Sequence, residues 1–319
     1  MLRFFLIFCF IFFSSFKLLA SETKGVVSTI QPINSLVNAV IGNTGKTISL
    51  IPAKASPHEY KLKPSDTKKL QNANIIFFVS DHLESSVTKV FKNLPKNIKI
   101  INLMEEAGIK HLAIRDSEAW ERHDHHHGHG DDDDHDHDKH SKKHDDHEKE
   151  DDVHVWLSPD NAIKIVQKVN KVLSLYFPEN SKIYNDNTTK FIDKIRNLKM
   201  ELVKELSPIK NKPYIVFHDA YQYFEKTFEL NAVGSVALEG DIASSPKQIS
   251  FIKDKIIKSK ASCVFQEPQF DSKLVKIVLE GTNAKTGTLD PHGVNITGNK
   301  DFYLQLLKNM AKSLKECLG

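Results

Sequence analysis

Histidine is the residue type with the most chemical capacity in this chain, and its 16 copies are unevenly placed. From His123 to Asp152 the sequence carries ten His, thirteen Asp or Glu, four Lys and no apolar side chain. Such a segment cannot bury enough apolar surface to offset its ordering entropy, so a solvated loop over residues 122–152 is predicted. Imidazole and carboxylate are metal ligands, and the tract predicts accessory metal binding. Its histidines are His123, His125, His126, His127, His129, His135, His137, His140, His144 and His147.

Three of the six other histidines share a context. His58 follows a strand-like run and a proline turn, His154 lies within the alternating segment Val153–Leu157, and His218 follows the apolar run Tyr-Ile-Val-Phe. Ligands of open α/β sheets bind outside the carboxyl ends of the strands, so these histidines are expected to converge in one cleft. Three neutral imidazoles and one further ligand form a tetrahedral site that Zn²⁺ prefers.

The fourth ligand stays open at this point. Asp290 follows a predicted strand and carries a carboxylate, which zinc accepts, while Glu59 and water are the alternatives. Asp219 is interpreted either as the acceptor that fixes the His218 tautomer or as the cap of the next helix. His292 is expected to lie on the surface.

Alternating strand-like and helical patterns predict the elements that position these histidines. Strands separated by helices indicate parallel sheets with crossover connections, and the fold class expected is α/β with two such lobes. The predicted lobes span residues 21–179 and 207–319. A single long helix over residues 180–206 joins them, and Ser65 is predicted to cap an earlier helix.

The N-terminus and the charge distribution bear on the compartment. Residues Met1–Ala20 combine Arg3, a short apolar core and a small-residue end, as in a cleaved secretory signal; an uncleaved anchor is the alternative. The tract is strongly acidic, so the formal net charge of +3 conceals a basic body. No nucleic-acid motif accompanies that charge, and no nucleic-acid partner is expected.

After removal of the leader, Cys263 and Cys317 are the only cysteines that remain. A lone pair in an exported protein predicts one disulfide, with two buried thiols as the alternative. The bond would tie a strand to the last helix and stabilise the fold by about 2–4 kcal/mol.

Several stretches carry a resemblance over nearly the whole mature chain. They are Pro57-His58-Glu59-Tyr60, His154-Val155-Trp156-Leu157-Ser158-Pro159, Phe217-His218-Asp219-Ala220-Tyr221, Glu267-Pro268-Gln269-Phe270, Gly287-Thr288-Leu289-Asp290-Pro291 and the terminal Cys317. Together with the His-rich tract, they resemble the periplasmic zinc-binding proteins of ABC importers, the ZnuA type of metal-specific solute-binding protein.

The resemblance implies metal ligands at His58, His154 and His218 and a disulfide between Cys263 and Cys317. Some members of the family use an acidic residue just before the first histidine as a ligand, and here that position is Pro57. This departure favours Asp290 or water as the fourth ligand.

The function expected is therefore capture of Zn²⁺ in the periplasm by a monomer that delivers it to an ABC permease and its ATPase in the inner membrane, without enzymatic activity. The rival hypotheses are a zinc-dependent hydrolase, a zinc store or chaperone that works through the tract alone, and a manganese receptor of the same fold. The sequence has no HExxH motif, which counts against the hydrolase.

Overall fold

The computed structural model describes residues 22–115, 120, 150–237, 246–298 and 301–319. The predicted signal Met1–Ala20 and the ten tract histidines lie outside the described residues.

The first half of the chain forms a four-stranded sheet. Its strands are β1 (Thr23–Ser28), β2 (Gly45–Ser49), β3 (Ile75–Phe78) and β4 (Lys99–Asn102). They lie in the order β2-β1-β3-β4, and every pairing is parallel. The four residues of β3 are all buried, as expected for a central strand that is covered on both faces.

Helices cover this sheet and lead out of it. They are α1 (Gln31–Ile41), α2 (Pro64–Gln71), α3 (Ser85–Thr88), α4 (Leu103–Glu106), α5 (Pro159–Tyr176) and α6 (Ser181–Leu206). The 26 residues of α6 rise about 40 Å at 1.5 Å per residue. This is the long helix predicted from the sequence. Among the described residues, no helix is long and apolar enough to span a bilayer.

The second half repeats the plan. Its elements are β5 (Pro213–Val216), α7 (Gln222–Phe228), β6 (Asn231–Ser235), α8 (Pro246–Ser259), β7 (Cys263–Gln266), α9 (Lys273–Leu279), β8 (Lys285–Thr288) and α10 (Phe302–Leu318). The strand order β6-β5-β7-β8 is again entirely parallel. The predicted fold class, two parallel α/β sheets flanked by helices, is confirmed.

The apolar core continues from one half into the other. One cluster of buried side chains runs from the first sheet through α1, α5 and α6 to α10 and to the β7 residues Cys263 and Phe265. A smaller cluster fills the opposite face of the second sheet beneath α8 and α9. The helix α10 thus packs against both halves, and the hydroxyl of Tyr303 donates to the carbonyl of Trp156 over 2.8 Å.

Two local predictions were wrong. The segment around His154 is not a strand, because Val155–Leu157 forms a 3₁₀ turn whose three side chains are all buried. An alternating strand would have turned some of these apolar side chains outward. Ser65 does not cap α2, because the helix already begins at Pro64 and the Asp66 carboxylate accepts the backbone N–H of Lys63.

The predicted disulfide is confirmed. Cys263 in β7 is bonded to Cys317 in α10, and their Cα atoms lie 6.1 Å apart. The bond fixes the last helix to a central strand of the second sheet.

Candidate metal centre

Three histidines that are far apart in the sequence meet between the two sheets. Nε2 of His154 lies 3.2 Å from Nε2 of His58 and 3.4 Å from Nε2 of His218. Within the described ranges they form the one group of three or more His, Cys, Asp or Glu side chains whose ligand atoms all lie within 4.8 Å of one another. His154 and His218 are buried and His58 is half-buried. The predicted convergence is confirmed.

Each histidine comes from a different type of segment. His58 lies in the long loop after β2, and His218 follows β5 at the carboxyl edge of the second sheet. His154 stands directly before the 3₁₀ turn Val155–Leu157, and the turn holds it because Trp156 is wedged into the core. The indole Nε1–H of Trp156 donates to the carbonyl of Pro291 across the interface between the halves.

The tautomers of two of the imidazoles follow from their partners. Nδ1 of His154 lies 2.8 Å from Oδ1 of Asp152, and Nδ1 of His218 lies 2.6 Å from Oε1 of Glu267. A neutral imidazole that donates from Nδ1 carries its lone pair on Nε2. Two such lone pairs then face each other at 3.4 Å, which is favourable only with a cation between them. Ligand nitrogens around a tetrahedral zinc with bonds of about 2.0–2.1 Å lie about 3.3 Å apart.

Asp152 was not predicted as part of the site. It was assigned to the solvated loop 122–152, but it is buried and Oδ1 also accepts the backbone N–H of His154 over 2.9 Å. Burial raises the pKa of the Asp152 carboxyl to about 7, against the opposing effect of that backbone hydrogen bond. The loop prediction is therefore wrong for its last residues, because Glu150 and Asp151 also bond to the strand-like segment at Ala113 and Ile114. The spacing Asp-x-His, which places a carboxylate two residues before the histidine, was the sequence signal that could have identified Asp152 as the partner of His154.

Glu267 belongs to one of the stretches that carry the family resemblance, but no role was predicted for its side chain. It follows β7, which neighbours β5 in the sheet, so Glu267 and His218 leave adjacent strands at the same edge. Chain order reverses between β5 and β7, and that switch point is where open α/β sheets bind ligands. The strand-end position of Glu267, next to that of His218, could have identified it.

The two carboxylates considered as the fourth ligand are placed differently from each other. Asp290 is outside the three-histidine group, and its Oδ1 accepts the backbone N–H groups of His292 and Gly293 and the amide of Gln269. Glu59 is exposed. The expectation that His292 is a surface residue is wrong, because it is buried with its ring centroid 5.6 Å from that of Trp156.

Asp219 does neither of the things predicted for it. Glu267, not Asp219, bonds to His218, and α7 begins after Tyr221 without a side-chain cap. The Asp219 carboxylate instead accepts two hydrogen bonds from Arg115, which belongs to the first half of the chain. Sequence patterns do not reveal a pair that is separated by 104 residues.

Two parallel α/β halves, a long connecting helix and a buried imidazole group between them define a metal-binding solute-binding protein. The family model for "zinc-uptake complex component A, periplasmic" (ZnuA) matches residues 26–317. The chain belongs to the ZnuA family.

Individual relatives agree with this assignment. A high-affinity zinc uptake system protein ZnuA of Brucella suis is 40% identical over 312 residues, which cover 94% of this chain and 93% of that protein. Its counterpart in Haemophilus ducreyi is 36% identical over 293 residues, covering 92% and 93% respectively. A crystal structure of ZnuA superposes with a TM-score of 0.75 at 22% identity, covering 94% of this chain and 100% of that one, and shows the shared fold.

Proposed function

We propose that this protein captures Zn²⁺ between its two halves and delivers the ion to an ABC permease in the inner membrane. The observation that carries the proposal is the pair of Nε2 atoms held face to face at 3.4 Å by carboxylates on the opposite ring nitrogens. His58, His154 and His218 are the proposed ligands. The relatives named as zinc uptake proteins support zinc as the cargo.

The fourth position is proposed for the Asp290 carboxylate or for water. Asp290 follows β8 at the carboxyl edge of the second sheet, beside the loop that carries Gln269. Because Oδ1 already accepts three hydrogen bonds, coordination by Asp290 would use its other oxygen. With three neutral imidazoles, a carboxylate as the fourth ligand would lower the net charge of the zinc ion and its ligands to +1. A water molecule would leave that charge at +2.

Export is part of the proposal. Residues Met1–Ala20 would direct the chain to the periplasm and be removed there, which agrees with the periplasmic description of the family. We also propose that the mature protein works as a monomer without a nucleic-acid partner. The tract histidines from His123 to His147 would bind further zinc weakly and raise the local zinc concentration near the site.

A chelator-competition titration of the mature protein tests the proposal. We expect one tight zinc site, which is lost in His58→Ala, His154→Ala and His218→Ala. The matched control is His82→Ala, because His82 is an exposed histidine of the same half as His58. Retention of the tight site in all three variants would contradict the proposal.

Deletion of residues 123–149 separates the receptor from a store that works through the tract alone. A receptor keeps the tight site and loses only weak sites, whereas a store loses all zinc binding. Zinc-dependent growth of cells that lack their own zinc receptor then tests delivery to the permease.

The hydrolase is not favoured, because the relatives are components of an uptake system. A manganese receptor would prefer oxygen ligands over the three imidazoles present here.

A further inference from the structure

Arg115 connects the two halves of the chain beside the metal centre. Its Nε donates to Oδ2 of Asp219 over 2.8 Å, and its NH2 group donates to the other oxygen of the same carboxylate. NH1 donates to Oε2 of Glu225 in α7 over 2.6 Å. The guanidinium plane is covered by Trp120, whose ring centroid lies 3.4 Å from Cζ. One side chain of the first half thus holds two carboxylates of the second.

Neighbouring contacts join the same two surfaces. The hydroxyl of Tyr223 accepts the backbone N–H of Leu112 and donates to the carbonyl of Asp152. The side-chain amide of Gln222 donates to the carbonyl of Ala113. The segment from Leu112 to Arg115 is therefore fixed along α7.

Both ends of this connection reach a proposed zinc ligand. On the first half, Asp152 bonds to Tyr223 through its carbonyl and to His154 through its carboxylate. On the second half, Asp219 directly follows His218. The backbone between β5 and α7 is the short stretch that carries both His218 and Asp219. A displacement of the Asp219 backbone is therefore expected to move His218 as well.

We infer that Arg115 is a positioning residue for the zinc site, and that it holds the His218 loop against the first half at the separation that zinc requires. This inference rests on the proposed function of the three histidines. When no cation is bound, the Nε2 lone pairs of His154 and His218 repel each other at 3.4 Å, and the contacts of Arg115 with Asp219 and Glu225 oppose that repulsion. A bidentate guanidinium supplies fixed geometry as well as charge.

The charges of the cluster explain why the loop should respond to loss of Arg115. The Glu225 side chain is 6% exposed and that of Asp219 is 9% exposed, and burial raises the pKa of the Glu225 carboxyl to about 7. Removing the guanidinium leaves two close carboxylates with no cation, which is costly in a buried position. The Asp219 loop can relieve this by moving toward water, whereas α7 is held by buried Phe224 and Phe228.

The test compares Arg115→Lys, Arg115→Ala and Asp219→Asn in the mature chain. The control is Lys168→Ala, because the ion pair of Lys168 with Glu106 is partly buried but stays within the first half. Zinc dissociation is followed by stopped-flow with a chelator in excess, and the visible spectrum of the Co²⁺-loaded protein reports ligand geometry. A role in stability alone would leave the Co²⁺ spectrum unchanged.

We expect Arg115→Lys to keep the fold but to release zinc several-fold faster, because an ammonium cannot reproduce the fork of hydrogen bonds. Arg115→Ala and Asp219→Asn should release zinc roughly 10- to 100-fold faster and shift the Co²⁺ bands, as for other residues that orient metal ligands. Lys168→Ala should match the wild-type protein in both readouts.

Wild-type release rates and Co²⁺ spectra in Arg115→Lys and Asp219→Asn would overturn the inference, even if Arg115→Ala failed to fold. Failure of the wild-type protein to bind zinc tightly at the three histidines would instead overturn the proposed function. The two failures are therefore distinguishable.

Discussion

Oε1 of Glu267 lies 2.6 Å from Nδ1 of His218, and the two residues leave neighbouring parallel strands at the same edge of the second sheet. Both side chains are almost fully buried. The carboxylate thus fixes which ring nitrogen of His218 carries the proton and directs Nε2 toward His154. The sheet topology itself, through the pairing of β5 with β7, creates this part of the site.

Replacing Glu267 by Gln should weaken zinc binding without removing a ligand. The amide can still accept from Nδ1, but it carries no charge to increase the basicity of the imidazole, so affinity should fall by roughly 10- to 100-fold. Chelator competition at neutral pH measures the change. Glu280→Gln is a matched control, because Glu280 is an exposed glutamate of the same half. Equal zinc affinity of Glu267→Gln and the wild-type protein would show that the carboxylate has no part in the site.

Zinc affinity should fall as the pH drops through the imidazole range. Each proposed ligand must lose the proton that would occupy the lone pair of its Nε2 atom. An ordinary imidazole has a pKa of about 6.5. Below that pH, protons compete with zinc for up to three positions. The logarithm of the affinity should therefore rise with pH by more than one unit per pH unit between about pH 5 and 6.5. Constant affinity over this range would exclude a three-imidazole site.

The parts of the molecule that depend on local pattern could be predicted from the sequence. Parallel strands, the long helix Ser181–Leu206 and the positions of His58 and His218 after strands all follow from periodicity and proline placement. Cys263 and Cys317 could be paired because the one other cysteine, Cys9, lies within the predicted signal. These features require no knowledge of what lies across the interface.

The parts that depend on contacts between distant segments could not be predicted. Val153–Leu157 has the alternation of a strand, but Val155–Leu157 forms a 3₁₀ turn that places Trp156 in the core. Asp219 follows the proposed ligand His218 in the sequence, but its carboxylate bonds to Arg115. Glu267, not Asp219, accepts the contact with the ring of His218 that was expected of Asp219. Tertiary contacts outweigh sequence proximity in both cases.

Glu84 should make the stability of the metal-free protein depend on pH. It is fully buried between the ends of β1 and β3, where its carboxylate accepts Thr29 Oγ1–H and the backbone N–H groups of Val79 and Ser80. Burial raises the pKa of the Glu84 carboxyl from 4.5 to about 7, against the opposing effect of these hydrogen bonds. The folded state therefore binds this proton more tightly than the unfolded state does.

The sign of the effect follows from that difference. The stabilisation from the Glu84 proton is complete below about pH 4.5 and is lost as the pH rises to about 7, a difference of roughly 3 kcal/mol. Glu84→Gln cannot titrate, so its unfolding free energy should change less between pH 5 and 7. Urea unfolding at several pH values measures this, with exposed Glu105→Gln as control. Identical pH slopes in Glu84→Gln and the wild-type protein would contradict the assignment.

Asp290 offers a direct test of the fourth ligand. Asp290→Asn keeps an oxygen that can accept the N–H groups of His292 and Gly293 but removes the negative charge. If Asp290 coordinates zinc, affinity should fall by at least tenfold, about 1.4 kcal/mol, and the Co²⁺ spectrum should change. Unchanged affinity in Asp290→Asn, with a less stable Asp290→Ala, would assign the fourth position to water and a structural role to Asp290.

Removing the disulfide should lower stability but spare the metal site. Cys263 and Cys317 close a loop with a sequence separation of 54 residues, and their bond fixes α10 to β7 on the side of the strand that faces the large core cluster. Cys263→Ser with Cys317→Ser should lower the unfolding free energy by about 2–4 kcal/mol, because the unfolded chain gains freedom. The hydrogen bonds that join His154 to Asp152 and His218 to Glu267 involve no residue of α10. Tight zinc binding should therefore persist in the double variant at temperatures where the variant stays folded. Calorimetry and chelator competition on one sample measure stability and zinc binding together. Loss of zinc binding while the protein remains folded would show that α10 positions the ligands.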